Sequence, residues 1–73
     1  MTEINPLTRL TVPLGGQEIE LQTVAFDSSG TEFLRVRIRE GRRFTVFDID
    51  AASAAVWAGA MAQWAAGRPG GQP

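Results

Sequence analysis

The 73-residue chain contains no cysteine, histidine, lysine or tyrosine, and each absence removes a class of chemistry. Without cysteine there is neither a disulfide nor a thiolate metal site, and without histidine a structural zinc site loses its remaining preferred ligand. The lack of lysine excludes a phosphate-loop lysine and Schiff-base catalysis, and the lack of tyrosine shortens the list of general acids further. No metal or other cofactor is expected. Ser28 and Ser29 have no histidine or lysine to activate them, and Gly15-Gly16 is not followed by the helix that a phosphate-binding loop requires. No catalytic constellation emerges, so the expectation is a protein that is not an enzyme.

Below about 70–80 residues a single core rarely supplies more than ~3–5 kcal/mol, and small domains add a staple. With disulfides and zinc excluded, oligomerisation is the staple that remains. All seven basic residues are arginine and face eight acids, for a net charge of -1. That balance lacks the bulk attraction toward a polyanion typical of nucleic-acid binders. The opening Met1-Thr2-Glu3-Ile4-Asn5-Pro6 carries an acid, no basic cluster and no apolar run, unlike a secretory signal. A cytoplasmic protein is expected.

Period-two alternation dominates the first two thirds of the chain. Leu10, Val12 and Leu14, then Ile19 and Leu21, flank Gly15-Gly16, the pattern of a hairpin with a two-residue turn. Pro13 cannot donate to a ladder, which predicts an edge position for the first strand. Asp27-Ser28-Ser29-Gly30 reads as a turn after Phe26. Leu34, Val36 and Ile38 alternate with Phe33, Arg35, Arg37 and Arg39, giving the clearest strand, over 31–39. A four-residue loop at 27–30 pairs Leu21 with Val36 and Ile19 with Ile38. Placing Gly41 in a bulged turn pairs Val36 with Phe44 and Leu34 with Val46 and predicts a fourth strand over about 42–48.

From Ala51 to Ala66 the composition switches to helix formers, with Asp50 as N-cap, Gly67 at the C-terminus and Pro69 beyond. The predicted fold is α+β: a four-stranded antiparallel β-meander followed by one C-terminal helix. Residues 7–66 form the single domain, 1–6 a flexible N-terminus and 67–73 a disordered Gly/Pro tail. The element order is similar to the core of the single-stranded-DNA-binding transcription domains of the Whirly and positive-cofactor type. Those domains typically carry lysine-rich binding surfaces, and this chain has no lysine.

Two surfaces look unfinished. Residues 51–67 carry no charge; Trp57, Met61 and Trp64 fall on one stripe with Val56 nearby, and Ala55, Gly59, Ala62 and Ala66 form an outer face of small residues that permits close approach. About 17 residues at 1.5 Å rise fall short of a ~30 Å bilayer core, so no membrane partner is expected. The second surface is the row Arg35, Arg37 and Arg39, extended by Arg42 and Arg43, with Phe33 and Phe47 expected as cross-strand neighbours near Val24 and Phe26. Arginine beside exposed aromatics is what a single-strand nucleic-acid platform uses. The alternative is that Glu18, Glu20 and Glu40 neutralise the row, and it is the favoured one. Asp48 and Asp50 could aim two carboxylates at a hard cation, but a capping role accounts for Asp50 and could extend to Asp48. The reading favoured by the sequence is a protein-interaction module, a homodimer or an accessory subunit docking on a larger protein. The alternative is a single-stranded nucleic-acid binder using Arg35, Arg37, Arg39, Arg43, Phe33 and Phe47.

Overall fold

The structure, a computed structural model, describes residues 2–26 and 30–71. Four antiparallel strands, β1 (Thr2–Thr11), β2 (Glu18–Phe26), β3 (Thr31–Glu40) and β4 (Arg43–Ile49), form one open sheet in the order β1-β2-β3-β4, followed by α1 (Ala51–Ala65). The α+β meander and its C-terminal helix are therefore as predicted. The central register is too: Leu21 pairs with Val36 and Ile19 with Ile38. The predicted turn at Asp27-Ser28-Ser29 lies outside the described residues, while Gly30 holds φ +70°.

Both flanking hairpins differ from expectation. Between β1 and β2, Leu10 pairs with Ile19, the Val12 N–H donates to the Gln17 carbonyl at 2.8 Å, and the Gly16 N–H donates to the Val12 carbonyl at 2.7 Å. The turn therefore spans Pro13 to Gly16 and is not a two-residue Gly-Gly turn. Proline's fixed φ suits the start of a turn, and Gly16 closes it at φ +73°. Leu14, expected on the apolar face, stands fully exposed in this loop. Between β3 and β4, Glu40 pairs with Arg43, leaving a two-residue loop that Gly41 opens at φ +61°. Val36 then faces Phe47, not Phe44, and Leu34 faces Ile49, not Val46. The slip is an odd number of residues, so the strand presents the opposite set of side chains to each face. Phe44, Val46, Phe47 and Ile49 are apolar on both parities, and alternation alone could not choose between them.

The N-terminus also departs from the expected flexible segment, because Thr2 to Pro6 pair with Phe26 to Gln22. The register shifts between Pro6 and Thr8, a bulge on an edge strand where proline's missing donor is tolerated. At the other end, the described part of the tail is turned back on the helix. The Arg68 N–H donates to the Ala65 carbonyl and the Gly71 N–H to the Arg68 carbonyl, both at 3.0 Å.

Asp50 caps α1 from an extended conformation, its carboxylate accepting from the Ser53 N–H at 3.4 Å and the Ser53 hydroxyl at 2.5 Å. These bonds hold the Asp50 carboxyl below its ordinary pKa, the Ser53 hydroxyl contributing most. Asp50→Ala removes an acceptor for the otherwise unpaired first-turn donors. A lower urea midpoint with an unchanged slope is expected; an unchanged midpoint would mean that packing alone holds the helix start.

Little of the molecule is enclosed. Among the described residues Val24 and Val36 are the buried hydrophobic ones, and they lie on opposite faces of the sheet. Val36 lies on the face that α1 meets through Trp57 and Phe47, with Leu34 and Ile38, while Val24 pairs with Phe33 on the other. The Cα radius of gyration is 14.1 Å, against about 11 Å for a compact domain of this length.

Candidate functional site

The arginine face is built by β2, β3 and β4 together. Arg35 pairs with Asp48, Arg37 with Val46 and Arg39 with Phe44 across one ladder, and the same three arginines meet Gln22, Glu20 and Glu18 across the other. Arg35 grips Asp48 through Nε to Oδ1 at 2.8 Å and Nη2 to Oδ2 at 3.1 Å. Arg39 grips Glu18 through Nε at 3.2 Å and Nη2 at 2.7 Å, and Arg9 approaches the same carboxylate at 3.7 Å. Arg37 lies 3.5 Å from Glu20 and stacks over the Phe44 ring at 4.8 Å. A cleft lined by Arg9, Glu18, Glu20, Arg37, Arg39 and Phe44 opens here, but its carboxylates and guanidiniums already answer one another.

The remaining residues proposed for a nucleic-acid surface are dispersed. Arg43 pairs with Glu40 and Phe47 with Val36, which puts both on the face opposite Arg35, Arg37 and Arg39. The expected Phe33/Phe47 patch therefore does not form, because the β3–β4 register separates its two members by the thickness of the sheet. Phe33 instead meets Phe26 edge-on, ring centroids 5.8 Å apart. Asp48, considered for a cation site or a helix cap, is held by Arg35, and among the described residues no group of three or more potential ligands could hold a metal.

These ion pairs set a pH response. The Arg35 hydrogen bonds hold Asp48, and the Arg39 hydrogen bonds hold Glu18, below their ordinary values of 3.8 and 4.5. A carboxyl lowered by folding contributes stability that is complete above its unfolded pKa and is lost as pH falls through the folded one. The thermal midpoint should therefore fall as the solution is acidified below about pH 4. The Glu18→Gln, Asp48→Asn double variant should show a shallower fall, and an equally steep one would place the acid sensitivity elsewhere.

The helix presents the opposite situation. Trp57 stacks on Phe47 at a centroid distance of 6.1 Å, and Ala51 and Ala54 lie beside Thr23 and Leu34. No residue of α1 is buried: Trp57 is 42%, Met61 52%, Trp64 66% and Val56 75% exposed. Arg68 lies over one face of the Trp64 ring at 4.4 Å and donates to the Trp64 carbonyl. An open hollow beside the stripe is lined by Ala52, Ser53, Val56, Trp57 and Ala60. Gly59 has open space around it, and Ala62 is exposed. On the sheet face that the helix only partly covers, Leu10 and Phe47 remain 49% and 38% exposed. This surface therefore includes Leu10 and Phe47 as well as the helix, and Leu10 was not singled out from the sequence because its alternation marked it as core.

No curated protein and no solved structure gave a match. Residues 1–67 match the model of a family of unknown function (DUF6967), and the chain belongs to that family.

Proposed function

We propose that the protein is a non-enzymatic interaction module that docks on protein through α1 and the sheet face beneath it. The observation that carries this reading is a helix without charge on any side, none of whose residues is buried. A surface helix ordinarily carries a charged outer face, and α1 has none, with Ser53 and Gln63 as its polar side chains; no described helix is long and apolar enough to cross a membrane. A protein surface is the cover that this reading assigns to it.

The nucleic-acid alternative gains nothing from the geometry. Phosphate recognition by arginine uses the guanidinium fork, and the forks of Arg35 and Arg39 are occupied by Asp48 and Glu18. Binding to a single-stranded oligonucleotide is expected to be undetectable even at low salt, where phosphate contacts are strongest.

Photo-cross-linking in the native cell tests the docking surface. A photoreactive amino acid at Val56 or Trp64 should yield a discrete protein adduct, and one at the exposed loop residue Leu14 should not. Absence of adducts from both helix positions would overturn the reading.

A further inference from the structure

We infer that the partner of α1 is a second copy of this chain, related by a two-fold axis, with each helix covering apolar surface on both copies. The inference rests on the docking surface proposed above and assigns its occupant. It starts from area. The chain exposes 5769 Å², about 1,400 Å² more than the ~4,400 Å² expected of a compact monomer of this mass. A stable interface removes about 800 Å² from each partner, so the excess is sufficient for one complete interface per chain.

Self-complementarity favours a second copy over a foreign protein. In a two-fold dimer the same patch meets itself, and a charge close to the axis is brought near its own duplicate. Residues 51–67 carry no charge, and the sheet face that Trp57 meets at Phe47 carries apolar Leu10, Ile19, Leu21, Val36, Ile38 and Phe47, with its charged residues Glu3, Glu32, Glu40 and Arg43 toward the strand ends. The helix and the apolar part of that face can meet their own image without like-charge contact. At Gly59 an added Cβ would meet nothing within 4 Å, which leaves room for close approach of another backbone.

Folding gives a third reason. Among the described residues the buried hydrophobic ones are two valines on opposite faces, and cysteine and histidine are absent. A chain with so small a core needs further burial to fold, and another copy is available wherever the chain is made.

Size-exclusion chromatography with light scattering on the full chain, over a dilution series, tests this. The wild type should give about 16 kDa, twice the 7.9 kDa chain, and pass toward the single-chain mass on dilution. Met61→Glu and Ala62→Glu should each raise the concentration for half-dissociation by about a hundredfold, because each buries an unpaired charge at the interface. Leu14→Glu, in the exposed loop, should leave it unchanged. A wild type of 7.9 kDa at every concentration overturns the second copy as occupant; helix cross-links to another protein would then still uphold the broader docking reading. A dimer that both helix variants leave intact also overturns the inference, since the contact would lie elsewhere on the chain. The wild-type series decides the mass even if a variant fails to fold.

Discussion

The thermal midpoint of the purified chain is expected to rise by about 3–6 °C for each tenfold increase in protein concentration. When folding and association are one step, a tenfold change in concentration shifts the balance by about 1.4 kcal/mol. For a folding unit of two such chains, 1 kcal/mol moves the midpoint by roughly 2–4 °C. A chain that folded by itself would melt at one temperature at all concentrations. Differential scanning calorimetry across two decades of concentration separates the cases, and a constant midpoint would contradict folding coupled to association.

The second large effect concerns Val36. It is 1% exposed, between Leu21 and Phe47 in the ladder, and its loss opens a cavity among side chains that the backbone pairing holds apart. Val36→Ala should cost about 2 kcal/mol per chain by urea denaturation. In a domain with ~3–5 kcal/mol at its disposal, that is close to half of the total. A cost below about 0.5 kcal/mol, the usual range for surface changes, would show that the sheet face under α1 contributes little.

Much of the fold could be read directly from residue patterns. The alternation of Leu34, Val36 and Ile38 against Phe33, Arg35, Arg37 and Arg39 has a single solution, and the β2–β3 register follows it. Asp50 and Gly67 bracket the helix as capping chemistry requires, Gly67 at φ +80°. Where the pattern was ambiguous, the expectation failed. Residues 44, 46, 47 and 49 are apolar on both parities, so either face of β4 could have met Val36, and the two-residue loop at Gly41 decided it. The Phe33/Phe47 patch followed from that register and was lost with it. Phe47 lies instead against Trp57, which ties it to the helix surface. Residues 1–6 show no apolar alternation from which a strand could be predicted, yet Thr2 to Pro6 pair with β2 across a bulge between Pro6 and Thr8.

The arginine row shows why charge patterns need a partner strand before they carry function. Arg35, Arg37 and Arg39 look like a phosphate platform in one dimension. Across the sheet, Glu18, Glu20 and Asp48 stand in register with them, and the row becomes a ladder of cross-strand ion pairs. Exposed pairs of this kind contribute little each, so their role lies more in fixing register than in stability. The helix is the reverse case: its lack of charge is plain in the sequence, but only the structure reveals that its stripe lies uncovered.

The most direct test of the central claim uses the tryptophans, because both, Trp57 and Trp64, lie in α1. Their emission and its quenching by acrylamide report whether the stripe is covered. At concentrations where the chain is paired, the account predicts blue-shifted emission and weak quenching. On dilution, and in Met61→Glu at any concentration, both should move toward the values of hydrated indole. Hydrated, freely quenched emission from the wild type at every concentration, indifferent to Met61→Glu, would contradict it.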